Sequence, residues 1–297
     1  MNKIIILFIF LIVSITWSTT WVAMKIAIET IPPFFATGLR FLLSFPILYI
    51  LSYFTNTPLL FPKKNRFFQI LIILFYFSIP FSLILYSSNY INTSVSSIIF
   101  STTPIFILFL SKLILKNKIN FYQILGSLIT ILSIFFLILL EYKNLYYNSI
   151  KGVILLLLAL ISHSYIYIEC KKREFNISAL TFNAIPSFIS GILITLISLI
   201  IEKPKFYNFS KNSIFAILYL SNFSSIFGIL LYFYLQKIVS KFFSSAVFLI
   251  FPIFSIFIEL YFYNSNIFNI KFFIFYFFAL FGILITLIFS IEKTNKK

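Results

Sequence analysis

The chain has 297 residues, of which 61% are hydrophobic and 10% charged, with a mean hydropathy of +1.06. That composition excludes a soluble globular fold, because too few polar residues remain to cover a chain of this size in water. A formal charge of +16 would suggest nucleic acid in a soluble protein, yet here the Lys and Arg residues fall between apolar runs, so the charge reads as membrane topology and no nucleic-acid partner is expected.

A hydrocarbon core about 30 Å thick needs roughly 20 apolar residues per helix. Polar breaks divide the sequence into ten such spans, at 4–24, 34–54, 67–88, 95–115, 121–140, 152–168, 177–201, 213–235, 244–263 and 270–290. The first could mimic a secretory signal, but its apolar run continues to Met24 without a small-residue cleavage pattern, so an uncleaved helix is expected. Helical spacing places Ser14, Ser18, Trp21 and Lys25 on one face of the first span and Thr37, Arg40 and Ser44 on one face of the second.

Arg40 lies seven residues beyond Pro33, roughly 10 Å along its helix at 1.5 Å per residue. A charge at that depth calls for a partner or an aqueous cavity, since lipid exposure costs about 2.5–3.5 kcal/mol even on insertion scales. The plainer alternative is a side chain that snorkels to the headgroups, and Lys25, nearer the surface, is better placed to do so.

The fourth span presents Ser94, Ser97, Ser101 and Pro104 at helical spacing, and the eighth presents Ser221, Ser225, Gly228 and Tyr232. Such stripes serve either close helix packing or the lining of a cavity. Pro104 and Pro252 each remove a backbone hydrogen bond and are expected to kink their helices. His163 is a mid-helix candidate with no visible acid or base partner, so a hydrogen-bonded structural role stands beside a site role. Glu259 is the acidic residue expected inside a helix core. It could carry a coupling proton, or sit at the interface or pair with a base. Trp17, Trp21, Tyr86, Tyr90 and Tyr232 could stack on a flat or cationic solute, although aromatic side chains pack cores and interfaces by default. A single His163 and a single Cys170, with no Asp, leave no metal-ligand spacing and no thiol pair, and no cofactor is expected.

With the N-terminus inside, the cytoplasmic segments hold Lys3, Lys63, Lys64, Arg66, Lys112, Lys116, Lys118, Lys171, Lys172, Arg173, Lys237, Lys241, Lys293, Lys296 and Lys297, 15 in all. The outer segments hold seven: Lys25, Lys143, Lys151, Lys203, Lys205, Lys211 and Lys271. The positive-inside rule then puts both termini in the cytoplasm.

The fourth and ninth spans match at six of eleven positions, Ser96, Ser97, Phe100, Pro104, Ile105 and Phe106 against Ser244, Ser245, Phe248, Pro252, Ile253 and Phe254, an offset of 148. Two weaker echoes, Trp17-Ser18 with Lys25 against His163-Ser164 with Lys171 and the Gly126 segment against the Gly282 segment, point the same way. The expected halves are 1–148 and 149–297. A five-helix unit is odd-numbered, so its second copy enters the membrane from the opposite side, which is how many secondary transporters are built around a midplane site.

With these features the chain resembles the EamA-type members of the drug/metabolite transporter superfamily. The resemblance rests on Trp17 to Lys25, Pro32-Pro33, Ala36 to Phe41, the small-residue starts and prolines of the fourth and ninth spans, and Gln123 to Gly126. One departure is Asn117, where the family often carries a Glu nine residues before the Gly of the fifth helix. The resemblance implies an all-α membrane protein of ten helices in two inverted five-helix repeats, a central solute cavity and, commonly, export of amino acids or related metabolites.

The expected partners are therefore a small-molecule solute and membrane lipid, with a homodimer as the oligomer entertained. Substrate-binding candidates are Arg40, Trp17, Trp21, Lys25, Ser101, Tyr86, His163 and Tyr232. The competing readings are an uptake carrier for a host-derived metabolite, a channel, and an intramembrane lipid-modifying enzyme. No catalytic constellation supports the enzyme, and no filter-like sequence supports the channel.

Overall fold

A computed structural model describes residues 3–144, 149–173, 177–263 and 269–291. The basic tail residues Lys293, Lys296 and Lys297 lie outside the described residues, as does residue 148 at the expected junction of the halves. Ten apolar helices are long enough to cross a membrane: α1 (Lys3–Ala27), α2 (Pro33–Phe54), α3 (Lys63–Ser87), α4 (Thr93–Leu115), α5 (Phe121–Leu140), α6 (Ser149–Lys172), α7 (Ala179–Ile201), α8 (Lys211–Ile238), α9 (Phe242–Phe262) and α10 (Ile270–Phe289). The protein is an all-α, multi-pass membrane protein.

The spans fall within a few residues of those expected. In α6 the helix runs four residues past its expected end because Glu169, buried in the last turn, is neutralised by Arg173 at 3.2 Å and Lys172 at 3.8 Å. Exposed side chains such as Leu113, Phe257 and Phe277 form the outer surface, as helices with satisfied backbones require in lipid.

Several helix pairs pack in matching ways. Helix α2 lies along α7 and α5 along α10, while α1 packs on α8 and α9 as α6 packs on α3 and α4. The α5–α10 contact is backbone on backbone: a Cβ added to Gly126 would stand 2.6 Å from the carbonyl of Gly282, and one added to Gly282 would stand 2.5 Å from the carbonyl of Gly126. Small residues permit such an approach between membrane helices. Gly38 of α2 and Gly191 of α7 face each other in the same reciprocal manner, each Cβ position 3.2 Å from the other's carbonyl.

Helices α3 and α8 each carry a π-helical segment, Ile73–Ser78 and Leu220–Gly228. Such wide turns are rare and concentrate at functional places in proteins. Each is partly buried, through Ile73, Phe77 and Ser78 in α3 and through Ser221, Ser224 and Ser225 among others in α8.

Candidate solute site

Arg40 is buried, at 2% exposure, and its side chain points across the interior to the π segment of α8. Its Nε donates to Ser225 Oγ at 2.6 Å and its Nη2 to Ser224 Oγ at 2.9 Å, whereas Nη1 has no hydrogen-bond partner. The guanidinium lies over the ring of Phe81 at 4.9 Å and near that of Phe41 at 5.9 Å. No carboxylate pairs with it among the described residues. Thr20 of α1 also donates to Ser224 Oγ, at 2.9 Å, so α1, α2 and α8 meet at this hydroxyl. Thr37 and Ser44, expected on the Arg40 face, are buried but satisfy themselves on the Pro33 and Phe41 carbonyls of their own helix.

His163 of α6 also meets Phe81, edge to face with ring centroids 5.3 Å apart. Its Nε2 lies 2.8 Å from the carbonyl of Tyr76, and because a carbonyl only accepts, that nitrogen carries the proton. Ser162 donates to the neighbouring carbonyl of Phe75 at 2.6 Å. Two consecutive carbonyls of the α3 π segment are thus held by two consecutive residues of α6, which gives His163 the hydrogen-bonded structural role. Phe100 stands between His163, 5.9 Å away, and Trp21, 5.5 Å away.

Trp17 lies one turn from Trp21 and contacts Tyr232 at 4.7 Å, Phe248 at 5.6 Å and Phe251 at 6.0 Å. The small-residue stripe of α8 proves to be an interior face: Ser225 holds Arg40, a Cβ on Gly228 would meet Thr16 and Trp17, and Tyr232 packs on Trp17 with the rings tilted. Arg40, Trp17, Trp21, His163 and Tyr232 are therefore brought to one interior region through Phe81, Phe100 and the stripe.

Other candidates stand apart from it. Tyr86 is near the far end of α3, 5.7 Å from both Phe34 and Tyr90, with the Lys151 ammonium 5.4 Å over its ring. Lys151 also donates to the Tyr90 hydroxyl at 3.0 Å, which holds that phenol below its ordinary pKa. Lys25 is half-buried in the last turn of α1. Ser101 is buried and donates to the Ile98 carbonyl of its own helix at 2.7 Å.

The two prolines behave differently. Near Pro104 the helix is interrupted at Thr102, where φ is −76° and ψ is 0°, and the carbonyl of Phe100, left without a donor by Pro104, accepts the Thr103 hydroxyl. The helix runs unbroken through Pro252, and the interruption in α9 lies six residues earlier, at Ala246. The adjacent Phe251 carbonyl accepts from Ser18 of α1 at 2.7 Å.

Two carboxylates cap helices across the halves. Glu202, just past the end of α7, accepts from the N–H of Phe34 and of Phe35 at 3.0 Å each, in the first turn of α2, and from Ser198 Oγ at 2.6 Å. Glu259 is fully buried, and its Oε2 accepts from the Ser94 N–H at 2.6 Å and from the Ser94 hydroxyl in the first turn of α4. Anionic oxygens complement the unsatisfied N–H groups and positive dipole end of a helix N-terminus.

Two surface hollows flank the interior region without including its residues. One, of about 510 Å³, lies at the end of α2 around Tyr49, Tyr53 and Asn56. The other, of about 460 Å³, is an apolar groove between α2 and α8, lined by Ile47, Leu51, Phe223, Phe227 and neighbours.

Comparison with known proteins agrees with this architecture. A solved crystal structure matches 98% of this chain and 99% of its own with a TM-score of 0.70 at 12% sequence identity, which bears on the fold alone. A protein named as an uncharacterized transporter from Buchnera aphidicola subsp. Schizaphis graminum is 55% identical over 267 residues, 90% of this chain and 89% of the relative. Protein PagO of Salmonella typhimurium is 42% identical over 267 residues, 90% of this chain and 88% of the relative. The EamA-like transporter family matches residues 4–139 and, a second time, residues 150–288. The chain belongs to the EamA-like transporter family.

Proposed function

We propose that this membrane transporter is a secondary carrier that moves a small organic metabolite bearing an anionic group, such as an amino acid or a related compound, across the bacterial cytoplasmic membrane. The observation that carries the reading is Arg40: a buried guanidinium held by two hydroxyls, with Nη1 unpartnered and no carboxylate opposite among the described residues. A guanidinium in a low-dielectric interior is costly without an anion, and its planar fork suits a carboxylate. Trp17, Trp21, His163 and Tyr232 form the aromatic surroundings of such a solute.

Alternating access through two inverted five-helix halves is the mechanism assigned to it. Three features support that reading: the double family match, the reciprocal α2–α7 and α5–α10 contacts, and the π segments at corresponding places in α3 and α8. The distribution of 15 basic residues against seven supports cytoplasmic termini, and the direction implied by the family resemblance is export.

The test is counterflow in proteoliposomes. A carrier exchanges carboxylated solutes saturably and stereoselectively, and a cysteine pair at Thr30 and Ser210, whose groups meet at 2.9 Å between the α1–α2 loop and the start of α8, should stop net transport when oxidised and restore it on reduction. Full transport with the crosslink complete would contradict alternating access, and a lipid product formed without solute movement would contradict the carrier.

A further inference from the structure

The carboxylate of Glu259 is only half used. Its Oε2 is held by Ser94, but its Oε1 has no partner, although the residue is fully buried. Ser255, one helical turn earlier on the same face of α9 and equally buried, has an unpartnered hydroxyl. The hydroxyl of Tyr276, on α10 and 4% exposed, is turned toward Ser97 of α4 within the electrostatic influence of Glu259 and satisfies no hydrogen-bond geometry among the described residues. No ion pair engages Glu259 among the described residues. Three of the nine buried side-chain N and O atoms without a partner among the described residues thus belong to this cluster, where each would forfeit its hydration for nothing.

We propose that Glu259, Ser255 and Tyr276 supply ligands to a site for a sodium-sized monovalent cation between α4, α9 and α10. All the available donors are oxygens, which suit hard cations and not zinc or copper. One carboxylate balances one positive charge. A divalent ion would leave net positive charge buried next to the positive end of α4, which low dielectric penalises. A proton would occupy one oxygen of Glu259 and leave Ser255 and Tyr276 as they are, whereas a cation engages all three. The ion would bridge α9 and α10, while Glu259 itself reaches α4 through Ser94. If the carrier reading above holds, this is a coupling ion, but the binding itself does not depend on that reading.

The experiment is thermal unfolding of the full chain in detergent, titrated with NaCl at constant ionic strength against choline chloride and repeated at several pH values. Saturable stabilisation by sodium over choline is expected. Ser255→Ala and Tyr276→Phe leave the Glu259–Ser94 cap in place and should each weaken apparent sodium affinity by at least about tenfold, the scale found when even outer partners of a metal site are removed. Glu259→Gln should abolish the effect. Equal melting in sodium and choline would overturn the proposal, as would an unchanged sodium affinity in both Ser255→Ala and Tyr276→Phe, or a response to pH alone, which would assign Glu259 to a proton. A chain that binds sodium but fails to exchange any anionic solute would keep this site and discard the carrier reading.

Discussion

His163 donates from Nε2 to the main-chain carbonyl of Tyr76 at 2.8 Å, inside the π segment of α3, and Ser162 does the same for Phe75 at 2.6 Å. A π turn is a local loss of α-helical bonding, and here α6 supplies the donors that make it tolerable. Replacing His163 by Ala should therefore cost about 1–3 kcal/mol, the range for a buried acceptor left unsatisfied. His163→Gln, which retains an N–H donor, should restore part of that loss. Thermal unfolding of the two variants checks this, and equal stability of both with the parent would assign the imidazole to some other task.

The reciprocal Gly126–Gly282 contact makes a sharper packing prediction. A methyl group at either position would overlap the facing backbone, so Gly126→Ala and Gly282→Ala should each destabilise by about 1–3 kcal/mol, the range for overpacking. Because both act on one contact, the double variant should lose less than the sum of the single losses once the helices have separated. Strict additivity in a double-mutant cycle would mean that α5 and α10 do not meet there.

Glu202 ties the end of α7 to the start of α2 through the N–H groups of Phe34 and Phe35. Glu202→Gln should weaken that cap by about 1 kcal/mol, by removing the charge while retaining an acceptor. Hydrogen exchange at the first turn of α2 should rise in the variant while the middle of α5 stays unchanged.

Orientation follows from the basic residues. In a Cys170→Ala background, a cysteine at Lys64 should resist an impermeant thiol reagent in intact cells and one at Lys205 should react, since both positions are exposed and on opposite sides of the assigned topology. The reverse pattern would invert the protein.

Much of the fold is legible in the sequence because apolar length is a strong constraint in lipid. The spans from Lys3–Ala27 to Ile270–Phe289 agree with the expected ones to within a few residues. Arg40 is legible for the same reason: a charge seven residues inside a span has few inexpensive places to go. Its partners Ser224 and Ser225 are less so. The α8 stripe contains Ser225, but Ser224 comes into reach because the π segment re-aims the helix, and no local pattern announces a π segment. The same blindness hides why His163 is needed and why α9 is interrupted at Ala246. Phe81 and Phe100, which connect Arg40, His163 and Trp21, are lost among 43 phenylalanines. Glu202 lies far in sequence from the helix that it caps, at 168 residues from Phe34, so only the folded chain shows the pairing.

The central claim is that Arg40 binds the anionic group of the solute, and solute affinity in reconstituted Arg40 variants tests it most directly. Arg40→Lys keeps the charge but loses the fork, and should weaken affinity for a carboxylated solute by about tenfold, equivalent to 1.4 kcal/mol. Arg40→Gln should weaken it further, and the corresponding amide solute should be affected less by either change. If both variants insert normally and exchange every tested solute with unchanged affinity, Arg40 is a structural residue held by Ser224 and Ser225, and the site assigned to it does not exist.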